Sequence, residues 1–398
     1  MRRFRLPYVP PTLLLVILLG ILLRLTPALF SVITGDVKLH LAYTLQYLRT
    51  PGILNLYKTT GILYHNTPVW IFILILTLKL SMFCKISFAL LVKFWPLVAD
   101  IGIMVLIWKI FSDKPSGSSA IRKVFLFAVN PVSILITAFH GQFDPVAVLF
   151  MLQGIYLINN ESGGIRKLAC LSLGFAIALK GFPVLMLPFF LSIASDRKEF
   201  WKSFFLMVSP SLVFSFPFLV ATPADFFKAL FLYSGASDFG VGGIGRLIAW
   251  AAQRFSSIPY GNLPGLFLTS MKCVFLSYTA YTFVQFSKKK ISMYRASCAV
   301  YMGFLAIYPG ISAQYFSWLI PLMLITENKH IVKFSIVTAI AVCGFYITYF
   351  PRILLGGMDL SSAPLWISRT SIWVYLVFNV ISWTYLVNAL FVSRETNG

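Results

Sequence analysis

The chain has 398 residues, 59% of them hydrophobic and only 11% charged, with a formal net charge of +21 and a mean hydropathy of +0.84. Soluble domains are about 45–50% apolar and ~25% charged. The composition therefore excludes a soluble enzyme, a disordered chain and a disulfide scaffold, and leaves a multi-pass membrane protein. An excess of 33 Lys+Arg over 12 Asp+Glu would suggest nucleic acid in a soluble protein. Here it reads as basic loops on the cytoplasmic side of a membrane, and no nucleic-acid partner is expected.

In chain order, Arg2, Arg3 and Arg5 precede an apolar run at 12–31 with no clear small-residue cleavage site, which predicts an uncleaved first membrane helix. A crossing helix needs about 20 mostly apolar residues. Further candidates are 86–110, 122–139, 145–158, 168–195, 203–221, 264–286, 294–309, 311–326, 331–350 and 370–392, with 68–83 as a shorter stretch. The run 168–195 is too long for one span and is broken at Gly181-Phe182-Pro183, which predicts two short helices meeting at Lys180. After the first span, Val37, Leu41, Leu45 and Leu48 recur at helical spacing, with Lys38, Gln46 and Arg49 off that stripe. This is an amphipathic helix lying in the membrane interface. The expected fold is all-α: one domain, 1–398, forming a polytopic bundle of about 11–12 membrane segments plus that interfacial helix.

Basic loops place both termini on the cytoplasmic side of the cell membrane. A cytoplasmic loop at 112–123 then requires an odd number of crossings before it, so 68–83 is re-entrant or interfacial if 86–110 crosses once. Asp36, Asp144, Asp225, Asp238 and Asp359 fall on the outer side, whereas Asp100 lies within a span. An ionisable group there is a functional candidate by default; a buried ion pair explains Asp100 equally well.

The outer-side motifs follow the same order. Asp36 opens the interfacial helix, where a helix start favours an anion; an N-cap role and a catalytic role are compatible. Tyr57, Tyr64 and His65 form a polar aromatic patch that suits either sugar binding or an interfacial aromatic belt. Asn130-Pro131 leads into His140-Gly141-Gln142-Phe143-Asp144-Pro145. A turn between helices accounts for Gly141, Asp144 and Pro145. It does not account for His140 and Gln142, which at membrane depth call for a polar cavity. Lys180 is either a snorkelling side chain or a compact cation for phosphate oxygens. Residues 233–246, glycine-rich and ending in Arg246, read as a lid or a linker. Residues 308–318, with Gln314 and Tyr315, form another helix–helix turn on the same side. The five cysteines form no metal or disulfide pattern. No cofactor is certain; a divalent metal is possible, but no ligand spacing indicates one.

The first-loop Gly35-Asp36, the Lys93 to Asp100 helix, Asn130-Pro131 leading to HGQFD at 140–144, the Gly174 to Pro183 segment with Lys180, and Gln314-Tyr315-Phe316-x-Trp318 stand in an order that resembles the GT-C superfamily of polytopic glycosyltransferases. Those enzymes use polyprenyl-phosphate sugars as donors. Within the superfamily the pattern is similar to bacterial and archaeal relatives of the GPI mannosyltransferases. Many members carry two acids in or near the first loop, where only Asp36 is evident here. The resemblance implies inverting transfer of a hexose, mannose at the family level, from a polyprenyl-phosphate donor to a hydroxyl of a lipid-linked or glycan acceptor on the outer face. It implies Asp36 as general base, Lys180, Arg246 and Arg352 facing the leaving phosphate, and His65, His140, Gln142, Asp144, Gln314 and Tyr315 as substrate contacts. Two other readings stand beside it. Broken helices with charges near mid-membrane suit a lipid or sugar transporter or flippase, although no internal repeat relates the halves. The third is a non-catalytic scaffold for other membrane enzymes.

Overall fold

The computed structural model describes residues 10–31, 34–49, 54–60, 64–112, 117–159, 163–231, 242–255, 265–349 and 365–395. Apart from the single bridge Gly242–Ile311, the described residues carry only helices, turns and connecting segments. That is what a lipid environment demands, because a helix satisfies its own backbone.

The chain runs back and forth between two ends of one bundle. The first helix, α1 (Pro11–Phe30), is followed by α2 (Gly35–Arg49), α3 (Leu56–Thr60) and α4 (Pro68–Cys84). Next come α5 (Phe88–Ser112), α6 (Gly117–Ala128) and α7 (Pro131–Ile134), which continues as a π-helical turn, Leu135–His140. A short link leads to α8 (Asp144–Asn159) and α9 (Gly163–Leu179). Past Lys180 a 3₁₀ turn (Phe182–Met186) runs into α10 (Leu187–Leu191), so the expected break is present. The remainder is α11 (Arg197–Ala221), α12 (Pro223–Phe231), α13 (Gly243–Phe255), α14 (Gly265–Ser287), α15 (Met293–Ile307), α16 (Phe316–Ile325), α17 (Ile331–Tyr349) and α18 (Leu365–Glu395). Among the described residues five helices are long and apolar enough to cross a membrane, and the bent pair α6–α7 makes a sixth; five more apolar helices are shorter. The chain is thus an integral, multi-pass membrane protein.

The outer surface is as apolar as the core. Leu14, Leu15, Leu18, Leu22 and Leu29 of α1, and Phe205, Val213, Phe216 and Val220 of α11, are exposed. In water this would be an aggregation surface; facing acyl chains it costs nothing. The helix α4 starts with Trp70 against Phe143 and Thr67 on the Ala178 carbonyl. Midway along it, Thr77 accepts from Trp95 Nε1 of α5 at 2.8 Å, and Lys93 near the start of α5 packs on Gly141. The starts of α4 and α5 therefore lie near the His140–Asp144 turn. We call that the site end. The ion pairs Lys123–Glu327 and Arg166–Glu199 mark the opposite end.

Asp100 resolves as structural. Arg24, fully buried on α1, donates from Nε to Asp100 Oδ2 at 2.6 Å. Its Nη1 reaches the Gly20 and Ala128 carbonyls at 3.1 and 2.7 Å, and its Nη2 reaches the Phe127 carbonyl and Ser133 Oγ at 3.2 and 2.8 Å. These bonds occupy all five guanidinium donors. Pro131 has no N–H, so the helix break at Asn130 frees carbonyls at the end of α6; Arg24 takes up the Ala128 carbonyl and shares the Phe127 carbonyl with Asn130 N. Asp100 Oδ2 also accepts from Ser133 Oγ at 2.8 Å and Thr137 Oγ1 at 2.9 Å. Removing one partner of a buried pair costs about 3–5 kcal/mol, whereas replacing both by apolar groups is often neutral. Arg24→Met is therefore expected to lower the unfolding temperature in detergent sharply, and Arg24→Met/Asp100→Leu to recover part of the loss. Equal melting of the single and double variants would contradict this assignment.

Candidate functional site

The site is built on the α7–α8 turn and the start of α2. Thr34 caps α2: its Oγ accepts from Val37 N at 3.2 Å and donates to the His140 carbonyl at 2.9 Å. One hydroxyl thus clips the first loop onto the turn. The π-helical turn carries an extra residue per cycle, a feature frequent at functional sites, and it presents His140 at its last position. Gly141 follows at φ +78°, the left-handed region, and an added Cβ there would meet Lys93 Cγ and Val37 Cγ2, both at 3.1 Å. Gly141→Ala is expected to cost about 1–2 kcal/mol from the backbone conformation alone, read as a drop in melting temperature, and to reduce activity by shifting both of its neighbours.

Those neighbours hold Asp36. His140 Nε2 lies 2.7 Å from Asp36 Oδ2, and Gln142 Nε2 donates to the same oxygen. On its other side, His140 Nδ1 meets Tyr346 Oη of α17 at 2.6 Å. Asp36 Oδ1 makes no hydrogen bond among the described residues, and 39% of the side chain is exposed. The carboxylate is therefore clamped by one oxygen and open at the other. Burial pushes its pKa up, but the His140 hydrogen bond and the charges of His140, His40 and Lys180 outweigh it and hold the carboxyl below the usual range. His40, one turn further along α2, is buried with an unpartnered Nδ1. Its burial, partly opposed by Asp36, lowers its pKa to about 4, so it is neutral near pH 7.

The second half of the site adjoins the first through Phe143. Its ring stacks on Trp70 with centroids 4.0 Å apart, and Lys180 Nζ stands 4.1 Å from its centroid. Lys180 Nζ is also 3.3 Å from Asp144 Oδ2, while Trp318 Nε1 donates to Asp144 Oδ1 at 2.7 Å. Trp318 in turn stacks on Phe182 at 3.8 Å. The break after α9 thus aims Lys180 at the turn because Phe182, two residues on, is locked against α16.

The structure therefore joins Asp36, His140 and Gln142 directly, and Asp144 with Lys180 beside them. Tyr315 packs on Trp318, with ring centroids 4.2 Å apart. The Gln314 carbonyl accepts from Ser317 Oγ at 2.7 Å, a helix-start contact. Arg246 Nη2 donates to Tyr349 Oη at 2.9 Å, one turn of α17 from Tyr346. His65 is half-buried and close enough to influence His40. Arg352, Asp238 and Asp359, and residues 233–241 of the glycine-rich loop, lie outside the described residues. The described residues hold no cluster of three or more His, Cys, Asp or Glu side chains fit to bind a metal ion.

Sequence reasoning assigned no role to Tyr346, Trp70 or His40. The i, i+4 spacing of Asp36 and His40 was a usable signal; Tyr346, within a mostly apolar span, offered none.

No family model matches the chain, and no curated protein matches it. Among solved structures it is similar to ArnT from Cupriavidus metallidurans bound to undecaprenyl phosphate. The likeness has a TM-score of 0.48 and 11% identity, and covers 96% of this chain and 78% of that chain.

Proposed function

We propose that this protein is an inverting glycosyltransferase that moves a sugar from a polyprenyl-phosphate donor to an acceptor hydroxyl. The observation that carries the reading is Asp36: anchored through Oδ2 by His140 and Gln142, open at Oδ1, and influenced by the ammonium of Lys180. Oδ1 takes the acceptor proton as the acceptor oxygen attacks the anomeric carbon. The bond from that carbon to the phosphate oxygen breaks, and the lipid phosphate leaves with one more negative charge. A base within hydrogen-bond reach of the hydroxyl and a fixed cation near the developing charge are the two groups such a step needs. Lys180 supplies that cation; its ammonium has three donors, and it stands in an ion pair with Asp144 Oδ2 at 3.3 Å. His140, Gln142 and Asp144 orient the base and the sugar. The lipid-linked donor accounts for the membrane setting, with its chain held among the exposed apolar helices.

The transporter reading fares worse on one observation. A translocation path needs mobile charges through the bilayer depth, whereas at mid-depth Arg24 has all its donors occupied and Asp100 is fixed through Oδ2 by Arg24, Ser133 and Thr137. The finer assignments rest on the sequence: mannose and the lipid-linked or glycan acceptor follow the GPI mannosyltransferase resemblance, and the outward orientation of the site follows the basic loops. A transfer assay with the purified protein and a panel of labelled polyprenyl-phosphate sugars tests the reading. One sugar should be transferred, and no transfer from any donor to glycan or lipid acceptors would overturn it.

A further inference from the structure

At the opposite end of the bundle, away from Asp36, lies a cavity of about 780 Å³ bounded by the end of α14, the start of α15, the α16–α17 turn and the end of α18. Its separation from the site follows from α15. Arg295 lines the cavity, whereas Phe304, nine residues and roughly 14 Å further along that helix, stacks near Trp318.

The chemistry of the lining is one-sided. Lys290, Arg295, Lys329 and His330 face the cavity, and the lining's carboxylate, Glu327, is held by Lys123 at 2.6 Å. The His330 Nε2 is enclosed and has no hydrogen-bond partner. The basic rim thus surrounds a buried nitrogen with an unused valence. The wall continues into apolar surface, with Met302 inside and Tyr281, 47% exposed, at the lipid-facing edge of α14. A basic pocket between membrane helices, open to lipid and placed at one end of the bundle, matches an anionic headgroup with its acyl chains alongside.

We propose that this cavity binds the phosphate of an anionic phospholipid, with Arg295 and Lys329 as its principal cations, His330 Nε2 as a further hydrogen-bond partner and Tyr281 against the acyl chains. The bound lipid bridges α14, α15 and α18 at the end of the protein opposite the Asp36 site. The inference does not depend on the transfer reaction.

The test uses the full-length protein purified from membranes holding phosphatidylglycerol and phosphatidylcholine, with retained lipid counted by native mass spectrometry. Wild type should keep phosphatidylglycerol in preference to phosphatidylcholine. Each basic side chain near an anionic lipid contributes roughly fivefold in affinity, so Arg295→Gln/Lys329→Gln should lower retention about 25-fold. Lys198→Gln/Lys202→Gln, which removes two exposed lysines elsewhere at the same end, should leave retention unchanged. If the first variant loses its folded peak on gel filtration, Lys290→Glu at the exposed rim replaces it, again with loss of retained lipid expected. A second arm adds inorganic phosphate alone. Failure of millimolar phosphate to displace the lipid supports a headgroup site, and full displacement assigns the cavity to free phosphate and overturns the lipid assignment. Equal retention by wild type and the Arg295/Lys329 variant, or equal loss in the Lys198/Lys202 control, overturns the proposal.

Discussion

Asp36→Asn is expected to reduce sugar transfer by about 10²–10⁴-fold, the range over which general-base catalysis contributes, while the protein still expresses and still binds donor. The asparagine keeps the shape, and its side-chain oxygen still accepts from Gln142. What it loses is the open Oδ1 as a proton acceptor. Asp36→Glu restores the charge but moves the carboxylate off the clamp formed by His140 and Gln142, so partial activity is expected. The rates of the purified variants with a labelled polyprenyl-phosphate sugar decide the matter; a normal rate for Asp36→Asn would remove the residue from the mechanism.

The same residue sets a pH expectation. Its folded-state pKa is depressed against the combined effect of burial, so the carboxylate stays charged as pH falls through the ordinary carboxylate range. Whatever stability it contributes is present above its unfolded-state pKa, about 3.9, and is lost only as pH falls through the lower folded value. Transfer should therefore hold level from pH 7 to about pH 5 as far as Asp36 is concerned. A profile that falls with a midpoint near pH 6 would point instead to an imidazole that must be neutral. His40, lowered to about 4, would not be that group.

The second large effect belongs to Lys180. Lys180→Met is expected to lower transfer by about 10²–10³-fold, as loss of one charge-stabilising donor does elsewhere, and also to destabilise the fold. Asp144 is fully buried, and without the ammonium 3.3 Å from Oδ2 it keeps only the Trp318 bond to Oδ1. An unpaired buried charge of that kind costs about 3–5 kcal/mol. The two roles separate in the double variant. Lys180→Met/Asp144→Asn removes the stranded charge and should regain most of the melting temperature while transfer stays low. If transfer recovers together with stability, Lys180 is only a partner for Asp144 and the phosphate needs another cation.

Much of this architecture was legible as helix content. A chain that must hide its backbone from lipid forms helices wherever apolar runs are long enough. Hence α1, α5, α11, α17 and α18 fall close to the ranges read from hydropathy. The break after Leu179 was legible because Gly181 and Pro183 interrupt the run, and the interfacial α2 because its apolar stripe has helical period. Asp36, His140, Gln142, Asp144 and Lys180 stood out for the same reason: each is a polar group where lipid tolerates few. The Asp100 assignment stayed open because its partner, Arg24, lies 76 positions away in a run with no other charged residue.

Partner choice was decided only by the folded chain. In water, an apolar stripe announces which face of a helix turns inward. In lipid, the outer face is as apolar as the inner one, so periodicity does not say which helices meet or at what height. That information resides in a few buried polar contacts: Arg24 on the carbonyls at the end of α6, Tyr346 on His140, Trp318 on Asp144. Each joins residues far apart in sequence, and each takes its geometry from packing. The composition determined that this protein lives in a membrane as a helical bundle. Only the tertiary structure decided that one carboxylate, one imidazole and one ammonium converge at the same end of it.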